Sequence, residues 1–130
     1  MFVLDAAAAV QGLLSTEGLE LFREHGMVAP PLFWSEVTSV LHELRWRGSI
    51  SDELATIALD RLGAAPVARR APADLHRRAW AIATQLGWAK TYDAEYVALA
   101  QSMKCPLVTT DDRLARRVGS FVQVLNPGQV

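Results

Sequence analysis

Apolar residues in this chain fall into two alternating patterns, short unbroken runs and stripes with helical spacing. Phe2, Val3 and Leu4 form a run of strand length that ends at Asp5, and the alanines and Val10 after it are good helix formers. Gly12 and Gly18 flank a break, followed by a second short helix over 19–25 and a second strand over 27–29. Pro30 and Pro31 suit a first helical turn, so a long helix is predicted from 32 to 47, stopped by Gly48. Its Phe33, Val37, Val40, Leu41 and Leu44 recur at spacings of three and four, the stripe of a core-facing helix. Ser51 and Asp52 open another helix to about 62, with Leu54, Ile57, Ala58 and Leu59 expected to pack inward. A weak strand at 64–70 and a helix from Pro72 and Asp74 to Leu86 follow, and Gly87 ends that helix. Thr91 is placed to cap the next helix, whose Tyr96, Val97, Ala100 and Met103 form its buried face. A strand at 107–109, a basic turn or short helix at 111–118 and a last strand at 121–125 complete the pattern.

Alternating strands and helices with short connections predict an α/β fold, a layered sandwich on a mostly parallel sheet of about five strands. At 130 residues the chain is read as one domain, 1–130. Right-handed crossovers collect the carboxyl ends of parallel strands on one edge, where open α/β folds place their ligands. Asp5 and Asp111, each at the end of an apolar run, are expected to meet there.

Composition narrows the function classes. The apolar fraction is 51% and the charged fraction 21%, ordinary for a globular protein. Cys105 is the sole cysteine, so no intrachain disulfide can form and a reducing compartment is favoured; it is read as a buried thiol. There is no apolar run of membrane-spanning length and no basic region ahead of an apolar one at the amino terminus, so a cytoplasmic protein with no membrane partner is expected. The net charge of −1 hides an asymmetry: residues 1–60 carry three arginines against nine acids, residues 61–130 ten Lys and Arg against five acids. Bulk charge therefore does not favour coating nucleic acid, but a local basic rim can.

The acids carry the candidate chemistry. Asp5 can be read as the N-cap of the helix it precedes, and Glu36 as a negative charge near a helix's positive end. Gathered with Asp93 and Asp111, they need a counter-charge: two carboxylates about 4 Å apart repel by roughly 4 kcal/mol at an effective dielectric near 20. A divalent ion reverses that sign, and hard oxygen donors suit Mg²⁺ or Mn²⁺. Zinc has little support, since His25, His42 and His76 lack ligand spacing.

FVLDA, WSEV, YDAEYVALA and LVTTDDRLA, in this order and spacing, resemble the PIN-domain ribonucleases of the VapC toxin type. The resemblance implies a three-layer α/β/α PIN-like sandwich and a metal-dependent endoribonuclease, with Asp5, Glu36, Asp93 and Asp111 as the catalytic, metal-binding quartet and Thr109 ordering the site. Asp112 doubles the last acid, and the TxD register favours Asp111. Four alanines follow Asp5 where the family often has a small hydroxyl residue. Hydrolysis of RNA would proceed by a metal-activated water, with Arg113 and Arg116 the nearest candidates for the RNA rim. Arg69, Arg70, Arg77, Arg78 and Arg117 are weaker candidates, and Trp34, Trp46, Trp80 and Trp88 are read as packing residues before base-stacking ones. The resemblance also implies a homodimer and a VapB-type antitoxin partner. Two alternatives stay open, a PIN-like domain that binds RNA or protein without catalysis and a phosphoacceptor signalling domain; a phosphatase of the haloacid dehalogenase type fails because Asp5 is followed by alanines.

Overall fold

The computed structural model describes residues 1–130, apart from the side chain of Leu19. Five strands, β1 (Phe2–Leu4), β2 (Met27–Ala29), β3 (Val67–Arg69), β4 (Leu107–Val108) and β5 (Val124–Leu125), form one sheet in the order β3-β2-β1-β4-β5. Every neighbouring pair is parallel, with Val3 opposite both Val28 and Leu107 and Leu4 opposite Val108. Seven α-helices connect them: α1 (Ala6–Leu13), α2 (Thr16–Glu24), α3 (Phe33–Trp46), α4 (Asp52–Ala64), α5 (Leu75–Leu86), α6 (Tyr92–Met103) and α7 (Asp112–Val118). Helices α1 to α4 pack among themselves, and α5 packs on α6, which lies against β1. This is the three-layer α/β/α sandwich of the sequence reading, with the sheet wholly parallel.

Strand β1 sits at the centre, and its Val3 and Leu4 are 0% and 1% exposed because both faces of the sheet are covered. The chain runs from β1 to β2 and β3 on one side and then crosses to β4 and β5 on the other. The gap between the carboxyl ends of β1 and β4 is thus the topological switch point, where side chains from both halves converge. With strands of two or three residues, the sheet contributes few backbone bonds, and helix packing supplies most of the core. Helix α6 is the extreme case, since residues 94–100 are all buried, Glu95 included.

Several boundaries moved. Helix α2 begins three residues earlier than expected because the Ser15 hydroxyl caps it, accepting from Gly18 N–H at 3.1 Å. Gly12 and Gly18 flank the break as expected, but both lie inside helices and let them touch: a Cβ on Gly18 would stand 2.3 Å from the Gly12 Cα. On α4 the inward face is Ala55, Ala58 and Leu62, while Ile57 and Leu59 are 39% and 47% exposed, so small residues let α4 approach α3 more closely than the leucine stripe would. Thr91 precedes α6 but makes no capping hydrogen bond through its side chain. The last strand is shorter than predicted, since Phe121 and Val122 donate back to the Val118 carbonyl in a turn that ends α7. Trp46 and Trp80 are 80% and 71% exposed and so do not pack in this core, and Cys105 is half-buried rather than buried. Among the described residues no helix is long and apolar enough to cross a membrane.

Candidate active site

Asp5 leaves β1 and enters α1 directly. Its backbone is extended and its Oδ1 accepts from the Ala8 N–H at 2.9 Å, so it does cap the helix. One carboxylate oxygen serves the cap. The residue is only 5% exposed, and burial pushes its carboxyl up to about 6; the Thr109 hydroxyl and the Ala8 amide pull it back, while the charges of Asp93 and Asp111 push it further.

Asp111 repeats the device on the other side of the switch point. It follows β4 and caps α7, with Oδ1 accepting from the Arg113 and Leu114 N–H groups at 3.0 and 3.1 Å. Its own N–H donates to Thr109 Oγ1 at 3.0 Å. Thr109 is 3% exposed and stands between the two aspartates, touching the backbone of one and lowering the carboxyl of the other. Asp112 lies in the exposed first turn of α7, whereas the charge of Asp111 reaches both Asp5 and Asp93.

Asp93 lies in the first turn of α6 and keeps contact with solvent, yet desolvation raises its carboxyl, with Asp111 as the second cause. Glu36, in the first turn of α3, is half-buried; burial raises it most, the Tyr96 hydroxyl works against that, and Asp93 and Glu95 add to it. Asp5, Asp93 and Asp111 therefore feel one another's charge at the edge of the sheet, and Glu36 feels that of Asp93 alone among the other three. The groove beside them has a volume of about 420 Å³ and is lined by Asp93 and Asp111, by Trp88 and Leu114, and by Arg113, Arg116 and Arg117. Asp5 lies deeper, and neither it nor Glu36 lines that groove.

The family model for the PIN domain matches residues 2–119. The chain belongs to the PIN-domain family. Ribonuclease VapC9 of Mycobacterium tuberculosis is 35% identical to it over 116 residues, which cover 88% of this chain and 89% of that protein. Among solved structures, PAE2754 from Pyrobaculum aerophilum superposes with a TM-score of 0.75 at 19% identity, covering 98% of this chain and 90% of the other. A toxin–antitoxin complex from Klebsiella pneumoniae superposes with a TM-score of 0.63 at 14% identity, covering both chains fully. At such identities the likeness is one of fold.

The acids of this PIN domain offer a divalent ion oxygen donors only. Among the described residues, no three acidic, histidine or cysteine side chains stand close enough to form a ready-made cage. A complete carboxylate cage is not what Mg²⁺ requires, because it keeps several waters and takes one or two carboxylates plus substrate oxygens. The observation that favours a cation is the buried Asp5 carboxyl, raised to about 6 with two further acids adding to its charge burden. Hard oxygen donors with mutual repulsion fit a hydrated divalent ion.

Two neighbours of the acids were not singled out for the site from sequence. Tyr96 was assigned to the core, and it is 1% exposed, but its hydroxyl donates to Glu36 Oε1 at 2.5 Å. The signal was present: a buried tyrosine in place of phenylalanine needs a partner for its hydroxyl, and three residues along a helix put it on the face of Asp93. Glu95 is 6% exposed, with Oε1 3.4 Å from His76 Nε2 on α5; burial raises its carboxyl and His76 opposes the rise. Replacing Tyr96 by Phe should keep the fold and move the Glu36 carboxyl titration, followed by carbon NMR, to higher pH. A Glu36 titration unchanged in the variant would show that the hydroxyl does not hold the carboxylate in solution.

Proposed function

We propose that this chain is a metal-dependent endoribonuclease, the toxin of a toxin–antitoxin pair, which hydrolyses phosphodiester bonds in RNA and so inhibits translation and growth. What supports the proposal is that Asp5, Asp93 and Asp111 feel one another's charge at the switch point of a PIN fold, with Glu36 coupled to Asp93. The names of the ribonuclease relatives support the reaction, and the toxin–antitoxin complex of the same fold supports the partner.

In this reading Asp5, Asp93 and Asp111 hold Mg²⁺ or Mn²⁺, and Glu36 holds a second ion or orients the attacking water. When bound, the ion would supply a water of lowered pKa and neutralise charge developing on the phosphoryl oxygens. The chain's own residues do the rest. Thr109 fixes the relation of Asp5 to Asp111, and the two helix caps each hold one oxygen of an aspartate in place. Arg113 and Arg116, exposed beside Asp111, draw the RNA phosphates toward the acids. The protein works in the cytoplasm as a homodimer, and a VapB-type antitoxin silences it by setting a guanidinium among the carboxylates that otherwise face the metal.

The test uses the purified chain, total RNA and Mg²⁺ or Mn²⁺. Asp93→Asn is expected to lower cleavage by at least about a hundredfold, the scale for losing one charge-stabilising group, without loss of folding. Chelation with EDTA should stop the parent chain. Undiminished cleavage in either arm would refute the assignment.

A further inference from the structure

We infer that the groove beside Asp93 and Asp111 is a nucleotide subsite, in which the Trp88 ring and the Arg117 guanidinium stack a base of single-stranded RNA while Arg113 and Arg116 hold its neighbouring phosphate. The inference rests on the ribonuclease reading and adds which part of the substrate this groove grips.

Local sequence builds the groove. Gly87 ends α5 in the left-handed region at φ 71°, and the Trp88 N–H turns back to the Ala83 carbonyl at 2.8 Å. This Schellman-type stop fixes the direction in which Trp88 leaves the helix. On α7, Leu114 and Val118 are buried at 5% and 0% exposure, so Arg113, Arg116 and Arg117 share the opposite, solvent-facing side. Arg117 donates from Nη2 to the Leu86 carbonyl at 2.8 Å, and its guanidinium carbon lies 5.6 Å from the centre of the Trp88 ring. Ring and guanidinium brace one another across two helices. A base arriving there meets flat surfaces that are already ordered, and both aromatic rings and guanidinium planes stack nucleobases.

The lining selects the ligand by charge. Asp93 and Asp111 make one wall anionic, Arg113 and Arg116 make another cationic, and among the described residues no ion pair joins the two. A divalent ion held by Asp93 and Asp111 would neutralise the first wall, which leaves the arginines free for a phosphate and the Trp88 ring for an aromatic face. A ligand with a phosphate at one end and an uncharged aromatic face at the other satisfies both, and the volume of about 420 Å³ falls in the range of small-ligand pockets. Single-stranded RNA presents this pairing at every residue.

The experiment compares two fluorescein-labelled strands by anisotropy, a single-stranded RNA dodecamer of mixed sequence and the same strand with abasic ribose throughout. Both are bound to the chain carrying Asp5→Asn, so that neither is cut. Adding Trp88→Leu, which keeps apolar volume but has no ring to stack, should weaken the intact strand by about fivefold to a hundredfold and change the abasic strand less than about twofold. Trp88→Phe should retain most of the affinity. Arg113→Ala with Arg116→Ala should weaken both strands alike and flatten the salt dependence. Equal loss on both strands in Trp88→Leu, or no loss on either, would overturn the subsite. The two readings separate cleanly: parent cleavage of RNA with no base-dependent loss in Trp88→Leu sinks the subsite alone. A Trp88-dependent preference for the intact strand in a parent that cuts no RNA sinks the nuclease alone.

Discussion

Asp5→Asn should melt higher than the parent at pH 7.5 and cut no RNA. The Asp5 carboxyl is raised from 3.8 to about 6 by burial and by the neighbouring acids, so its ionised form is a cost that folding imposes. The sign follows from proton binding: between about pH 4 and 6 the folded chain holds a proton that the unfolded chain has released, so stability falls as pH rises through this window. Above it the cost is fully present, on the order of 2–3 kcal/mol. Asparagine removes the charge but keeps the Oδ1 that accepts from the Ala8 N–H, so the α1 cap survives. The expected gain is a melting temperature higher by roughly 10 °C, shrinking to nothing near pH 4. Millimolar Mn²⁺ should narrow the gap by stabilising the parent alone, because an ion that binds only the folded carboxylates adds to stability by mass action. Calorimetry across pH decides it; equal melting at pH 7.5 would mean that the carboxylate carries no strain. A residue kept at such a cost to stability points to function as the reason for its presence.

Gly18→Ala should be among the most damaging single-atom additions to the chain. Intrinsic propensity argues the other way, since alanine is preferred to glycine in a helix by about 1 kcal/mol. Packing overrules it. The added Cβ would stand 2.3 Å from the Gly12 Cα and 2.6 Å from the Gly12 carbonyl oxygen, and these are backbone atoms of another helix that cannot rotate aside. Overpacking costs about 1–3 kcal/mol and occasionally more, and a rigid neighbour places this site at the upper end. A net loss of about 2 kcal/mol should lower the urea midpoint. A midpoint at or above the parent's would mean that α1 and α2 do not cross this closely in solution.

The sequence made the architecture legible where periodicity was strong. The stripe on α3 gave a helix bounded within one residue of the observed Phe33–Trp46, and the first apolar run gave β1 with Asp5 at its end. Short elements were harder to bound, because β5 keeps only Val124 and Leu125 of a longer apolar stretch whose earlier residues are bent into a turn by α7. The α4 face was misread because hydrophobicity favours leucine and isoleucine, whereas close helix packing there selects alanine. For the site, the strand pattern pointed Asp5 and Asp111 at one edge, whereas Glu36 and Asp93 entered only through the family resemblance. What it lacked was the support around them. The Tyr96 bond to Glu36 joins residues sixty positions apart, and no single-element pattern reports such a contact.

Helix α6 carries an unbroken stretch of buried residues directly behind Asp93, with Tyr96 inside it. From Ala94 to Ala100 this helix cannot roll or slide without dissolving the interior around it. Tyr96, and the hydroxyl that holds Glu36, are therefore fixed for as long as the interior stays packed. Adjustment to a ligand would fall instead to Arg113 and Arg116, exposed on α7, while Arg117 stays braced between the Leu86 carbonyl and the Trp88 ring.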